Sequence, residues 1–125
     1  MLEFLVDLAS GQFPRRWDGK RLSDKGTIRS AFRLVSGAEP RITGRWALYS
    51  TAVSESHLWI GRTSVFIVAI SPSAGRKPAG NEQMSLDPDF AVIPITTRSG
   101  ARLEWAMRSG ELGAVIRRLG SVTVD

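Results

Sequence analysis

The chain has 125 residues, of which 42% are hydrophobic and 23% charged, a composition that indicates one folded domain rather than two domains or a disordered segment. It contains no cysteine and one histidine, so disulfides, thiol nucleophiles and the common zinc sites are excluded. Seventeen Lys and Arg against twelve Asp and Glu give a net charge of +5. Residues 1–45 hold most of this excess, which predicts a basic region near the N-terminus. A genomic preference for arginine, which supplies fourteen of the seventeen cations, is the alternative explanation.

The chain divides into a predicted docking segment at residues 1–12, a folded domain at residues 13–120 and a tail at residues 121–125. Leu2, Leu5 and the residues around them fit a short helix or a first strand. The longest apolar run is six residues, far short of the roughly 18 needed to cross a bilayer. We therefore expect a cytoplasmic protein and leave peripheral membrane association open.

Short segments that alternate with a period of two follow, and they predict antiparallel strands. Residues 27–34 place Ile28 and Phe32 on one face and Arg29 and Arg33 on the other. The remaining predicted strands are residues 45–54, 57–62, 64–70, 90–97 and 102–108.

Two of these strands carry further information. Residues 64–70 are apolar on both faces, which predicts the most buried strand. In residues 90–97, Pro94 cannot donate to a ladder, which predicts an edge position or a bulge. The intervening residues 71–88 are rich in Pro and Gly and form a mobile loop or a wide hairpin connection.

Four tryptophans have different predicted positions. Trp105 shares the inward face of its strand with Leu103 and Met107, so we expect it in the core. Trp46 and Trp59 are expected to pack in neighbouring strands. Trp17, which lies among cations, either closes one end of the fold or is exposed for binding.

The last predicted element is a helix. Ser109 is its predicted N-cap, and Gly120 is its predicted C′ residue. A single apolar stripe runs along it at helical spacing: Leu112, Val115, Ile116 and Leu119. Strands followed by one amphipathic helix predict an α+β fold: a small antiparallel β-barrel or sandwich of six or seven strands, capped by the C-terminal helix.

This order of elements resembles the pleckstrin-homology-like (PH-like) superfold. More narrowly, residues 14–19, 76–82 and 104–107 resemble an uncharacterised PH-like family of high-GC Gram-positive bacteria. The resemblance implies a PH-like barrel, and that family has no established activity. Phosphoinositide-binding members of the superfold carry a basic-x-Arg triplet around their first hairpin, and the corresponding region here lacks one at that spacing.

Candidate chemical groups do not combine into a catalytic set. His57 is interpreted as a turn residue, and Ser56 beside it points to the opposite side of a strand. Asp87 and Asp89 flank a proline and are expected to cap a loop rather than bind a metal. Residues 75–78 lack the phosphate-loop pattern and are expected to be a solvated basic loop. We expect no enzyme activity, metal or cofactor.

The leading hypothesis is a non-catalytic binding module that presents a basic N-terminal hairpin to a protein partner or an anionic membrane surface. The predicted binding residues are the cations and the tryptophan of this hairpin: Arg15, Arg16, Trp17, Lys20, Arg21, Arg29 and Arg33. One alternative is a small basic β-barrel that binds nucleic acid through Trp17, Phe32 and the Arg29/Arg33 face. Another is a small-ligand carrier or enzyme that uses the open end of the barrel.

Overall fold

Alternating apolar residues build seven strands in residues 27–125, the part of the chain that this computed structural model describes. The strands and the helix have the following bounds: β1 Thr27–Ser36, β2 Ala47–Ser54, β3 His57–Ile60, β4 Thr63–Ile70, β5 Phe90–Thr97, β6 Arg102–Arg108, α1 Leu112–Arg118 and β7 Thr123–Val124. The predicted mostly-sheet fold with a short C-terminal helix is confirmed for these residues. The predicted docking segment, residues 1–12, lies outside the described residues.

All seven strands belong to one sheet, in the order β3-β2-β1-β6-β5-β4-β7, and β3 also pairs with β4. Each of β1 to β6 therefore has two antiparallel neighbours. Two residues of β7 pair in parallel with β4, so the sheet includes part of the predicted C-terminal tail.

The inward faces of these strands form the main core. Trp105 and Phe32 are both fully buried, and their rings stack with centroids 5.3 Å apart. The Trp105 indole N–H donates to Ser30 Oγ at 2.8 Å, and Ser30 is hydrogen-bonded to Thr51 at 2.8 Å. This chain of hydrogen bonds gives the buried polar groups of Trp105, Ser30 and Thr51 their partners. The predicted inward positions of Leu103, Trp105 and Met107 are confirmed.

Strand β4 differs from its prediction as the most buried strand. Val65 and Ile67 are buried, but Phe66 and Val68 on the opposite face are 39% and 43% exposed. Pro94 also does not lie on an edge strand, because β5 pairs with both β4 and β6. The Pro94 carbonyl accepts from the Ser71 N–H, one residue beyond the last β4–β5 pair, Ile70 and Ile95. The proline nitrogen points to the same side as this carbonyl, where the β4–β5 pairing has ended, so its missing N–H interrupts no pair of β4 with β5.

The C-terminal helix packs its predicted apolar stripe against the core, with Val115 fully buried. Its predicted start was wrong, whereas Gly120 follows the C-cap residue Leu119 as the predicted C′ residue. The Ser109 hydroxyl donates to the Asp89 carbonyl instead of capping the helix, and a 3₁₀ turn precedes α1. Gly120 does not adopt a positive φ, and a Cβ there would lie 2.5 Å from Glu55 Oε1, the end of a side chain that would have to shift. No helix in the described residues is both long enough and apolar enough to span a membrane.

Candidate binding surface

Residues 71–89, here called the covering segment, connect β4 to β5 and lie across the outer face of β1, β6 and β5. The segment contains two 3₁₀ helices, Pro72–Ala74 and Gly80–Met84, and it is the wide hairpin connection that was one of the two predicted alternatives. It builds a second apolar cluster outside the main core, made of Ala31, Leu86, Phe90, Val92 and Ala106, with Trp46 packed against it. The apolar residues on this part of the outer face are therefore covered by the chain itself.

A cluster of ion pairs fastens the covering segment to the sheet. Arg76 reaches the Glu82 carboxylate with both terminal nitrogens, at 2.6 and 2.9 Å, and Arg33 lies 2.7 Å from Glu104. Arg76 also lies 3.3 Å from Glu104, which joins the two pairs into one network. The Trp46 indole N–H donates to Glu82 at 3.1 Å.

The charges in this cluster stabilise one another. Hydrogen bonds from Arg76, the Ala79 backbone and Trp46 outweigh the burial of Glu82 and lower the pKa of its carboxyl to about 2. The hydrogen bond to Glu82, together with the charges of Glu82 and Glu104, raises the pKa of Arg76 above its ordinary value. The expected solvated basic loop at residues 75–78 was therefore wrong for Arg76, whose side chain is bound to the sheet.

The predicted basic face of β1 does not form one open patch. Arg33 is held by Glu104 and lies over the Trp46 ring, whereas Arg29 is exposed near the other end of the covering segment. Phe32, expected to bind nucleic acid, is fully buried in the core and offers no surface. The other predicted binding residues lie outside the described part of the chain: Arg15, Arg16, Trp17, Lys20 and Arg21.

Arg29 lines a cavity of about 200 Å³ that also takes in Leu48, Ser85, Phe90 and further charged side chains. Those charged residues are Arg108, Asp87 and Glu111, so two arginines face two carboxylates and the formal charges cancel. The predicted loop-capping role of Asp87 is confirmed, because its Oδ1 accepts a hydrogen bond from the Asp89 N–H at 3.0 Å. This cavity shows no selective attraction for an anion.

A different feature lies on the outer face of β3 and β4, where three aromatic rings and one guanidinium form what we call the aromatic stack: Trp59, His57, Phe66 and Arg98. Strand β3 directs Leu58 and Ile60 into the core, which sends His57 and Trp59 outward. Pairing places His57 opposite Phe66 on β4, and the Arg98 N–H donates to the Phe66 carbonyl. The sheet register therefore assembles the stack from three separate segments.

The rings in this stack cover one another's faces. The centroids of His57 and Phe66 are 4.2 Å apart with nearly parallel planes, and those of His57 and Trp59 are 3.8 Å apart. The Arg98 guanidinium lies over the Phe66 ring at 3.9 Å, a cation–π contact. Strand β4 lies between β3, which carries His57, and β5, which ends at the residue before Arg98. Phe66 is therefore enclosed by His57 on one side and Arg98 on the other.

His57 is the enclosed member of this group and not the turn residue that its sequence context predicts. Burial, and then the nearby charge of Arg98, lower the pKa of its imidazole below the ordinary 6.5, so the ring is neutral at neutral pH. Its Nε2 is buried and has no hydrogen-bond partner among residues 27–125. This nitrogen is therefore not part of a nucleophile–base pair.

Solvent reaches the outer edges of this surface. Trp59 is 43% exposed, and Val68 continues the apolar area along β4 beyond Phe66. Nothing in the described chain covers these side chains as residues 71–89 cover the other part of the sheet. Within residues 27–125, no group of three or more His, Cys, Asp or Glu side chains could hold a metal ion.

Comparison with known proteins finds no family model, curated protein or solved structure that matches this chain. The site must therefore be interpreted from its own chemistry. Sequence reasoning missed the aromatic stack because β3 and β4 are apolar on both faces, so alternation alone did not indicate which face is outside. The one available signal was His57 itself, which shares a strand face with Trp59 and is a poor core residue.

Proposed function

We propose that this domain is a non-catalytic binding module for a protein partner. The observation that carries the proposal is the uncovered aromatic stack with Val68 beside it, on a sheet whose outer apolar residues Ala31, Val92 and Ala106 the chain covers. Contiguous exposed apolar side chains mark interaction sites on soluble domains. Trp and Arg are also the side chains most often found at the energetic centre of protein interfaces.

The scaffold we propose is a PH-like β-barrel capped by α1. Support comes from the pairing of β3 with both β2 and β4, which gives every strand from β1 to β6 two neighbours. The apolar stripe of α1 packs on the core. A closed scaffold of this kind would hold the aromatic stack in a fixed geometry, and such preorganisation reduces the entropy that binding costs.

Single-stranded nucleic acid is the less favoured partner. Sequence-tolerant binding of bases depends on open ring faces, on which successive bases stack. Here both sides of Phe66 and of His57 are occupied by other members of the stack, so Trp59 alone has a face to offer. One stacking position without a neighbouring one would give little affinity.

An anionic membrane is also less favoured. Each cation near an acidic leaflet contributes about 1 kcal/mol, and sequence-readable lipid sites have clusters of four to eight cations. Of the predicted basic hairpin, the described residues include Arg29, which is exposed beside two carboxylates, and Arg33, which is ion-paired. The basic hairpin remains part of the proposal as an additional contact through Arg15, Arg16, Lys20 and Arg21.

Selection from a random dodecapeptide library displayed on phage tests this function with the full chain as bait. The matched baits are Phe66→Ser on the proposed surface and Met84→Ser, which is 93% exposed on the covering segment. The proposal predicts peptides that are enriched on the unaltered chain and on Met84→Ser and lost on Phe66→Ser. Peptides enriched equally on all three baits, or no enrichment on any, would contradict it. Both variants are first checked for cooperative unfolding.

A further inference from the structure

We infer that the segment bound by the aromatic stack is acidic and carries an aliphatic side chain, an inference that rests on the proposed function. The structure supports it through three separate features of the surface: which parts of the rings are exposed, which charges surround them, and which occupant those charges exclude.

The first feature is the orientation of the rings. An aromatic ring has a negative face and a positive edge. The faces of Phe66 are taken by His57 and by the Arg98 guanidinium, so the edge of this ring is what reaches solvent. The positive edge of a ring attracts carboxylate and carbonyl oxygens and does not attract a cation. Phe66 therefore presents a positive edge to solvent although its ring is uncharged.

The second feature is the charge around the stack. Residues 57–70 and 98–102 together contain three exposed arginines, Arg62, Arg98 and Arg102, and no Asp or Glu. The acids next to these ranges are Glu55, whose carboxylate lies against Gly120, and Asp125, whose carboxylate accepts from the Ser71 hydroxyl. None of the three arginines has an ion pair among residues 27–125, in contrast to Arg33 and Arg76 of the covered region. Glu39 approaches this end of the sheet, but its carboxylate accepts a hydrogen bond from Ser99 and does not pair with Arg98.

The third feature concerns the occupant. A second copy of the chain would bring the same three arginines against the first, on molecules that each carry a net charge of +5. Like charges brought together in an interface are a strong bar to association. A carboxylate-rich segment instead pairs with Arg98 and the ring edges, while Val68, 43% exposed, offers an apolar contact for one aliphatic side chain.

The inference is tested by fluorescence anisotropy with three labelled dodecapeptides of one design, built on repeated leucines with intervening Glu, Ser or Lys. We expect the Glu peptide to bind at least tenfold more tightly than the Ser peptide at low salt, and the Lys peptide not to bind. Added salt should weaken binding of the Glu peptide, because screening reduces attraction between exposed charges. Arg98→Gln should weaken it about tenfold.

The matched control is Arg108→Gln, which removes the same charge from an exposed arginine lining the separate cavity near Arg29. We expect this variant to bind the Glu peptide within twofold of the unaltered chain. Equal binding of the Glu and Ser peptides, both lost in Phe66→Ser, would overturn the acidic partner and leave the binding module standing. If no peptide binds and an oligothymidylate binds through Trp59 instead, the proposed function fails as well.

Discussion

The outer surface of the sheet has two apolar regions, one covered by the chain and one exposed to solvent. On β1, β5 and β6, the apolar residues Ala31, Ala106 and Val92 lie under the covering segment. On β3 and β4, Trp59, Phe66 and Val68 lie in the open. In the first region the chain itself supplies the partner for these side chains. The comparison indicates that in the second region another molecule supplies it.

The arginines divide in the same way. Arg33 and Arg76 are each bound to carboxylates of their own chain, in contacts of 2.6 to 2.8 Å. Arg98 contacts a ring and no carboxylate of residues 27–125. Internal ion pairs fix the covering segment, whereas an unpaired arginine over an aromatic ring keeps its charge available for an incoming anion.

The largest difference between the two regions should be the loss of stability when an apolar side chain is removed. Leu86 is 2% exposed beneath the covering segment, so Leu86→Ala should lower the free energy of unfolding by about 3 kcal/mol through lost burial and a cavity. Val68→Ala in the open region should change it by less than about 1 kcal/mol. Urea denaturation measures both. Met84→Ala, in the same segment as Leu86 and 93% exposed, is the matched control, and equal losses for Leu86 and Val68 would refute the division.

Neutralising Glu82, at the centre of the ion-pair cluster, should have the next largest effect on the free energy of unfolding. Glu82→Gln should lower the free energy of unfolding by about 2 kcal/mol, because charge-assisted hydrogen bonds from Arg76 and Trp46 are weakened. Asp89→Asn, an exposed acid of the same segment, should change it by less than about 0.5 kcal/mol. Urea midpoints that coincide for the two variants would argue against the cluster as a fastening.

The pH dependence of stability should differ between the regions. The pKa of Glu82 is about 2 in the fold against 4.5 ordinarily, so its stabilisation is present above pH 4.5 and is lost as the pH falls toward 2. The pKa of His57 is lowered from 6.5, so its neutral form also favours folding, and that contribution is lost as the pH falls below 6.5.

Thermal unfolding between pH 7.5 and 5.5 measures the contribution of His57 to stability separately from that of Glu82. The melting temperature of the unaltered chain should fall across this window, since protonation places a charge on a partly buried imidazole near Arg98. His57→Gln should remove that fall, and Glu82→Gln should leave it unchanged. A fall of the same size in His57→Gln would show that the aromatic stack does not respond to pH.

The smallest expected effect on stability belongs to Phe66→Leu. The substitution keeps an apolar side chain at a position that is 39% exposed, so the free energy of unfolding should change by less than about 1 kcal/mol. It removes the ring edge and the cation–π contact with Arg98. Binding of the Glu-containing dodecapeptide should therefore weaken several-fold while urea unfolding stays almost unchanged; the reverse pattern would assign Phe66 a structural role.

Local alternation was enough to predict much of the sheet. In β6, the pattern of Leu103, Trp105 and Met107 against charged neighbours fixed the inward face, and in β1 the same logic placed Ile28 and Phe32 inside. These assignments succeeded because each strand has one apolar and one polar face, so only one orientation buries the apolar side chains.

The candidate site was harder to predict for a physical reason. Strand β4 is apolar on both faces, and nothing local shows whether its outer face meets the chain or solvent. The contacts that decide this are long-range: Arg33 meets Glu104, 71 residues away, and Trp46 meets Glu82, 36 residues away. The covering segment crosses β1 and not β3 because its anchors lie on that side, which no period in the sequence encodes.

The most direct test of the account is an amide chemical-shift map of the full chain, recorded while the Glu-containing dodecapeptide is added. The account predicts perturbations concentrated in residues 57–68 and 98–102, with the amides of residues 76–86 unchanged. Perturbations concentrated on the covering segment, or shifts of equal size with the Lys-containing peptide, would contradict it.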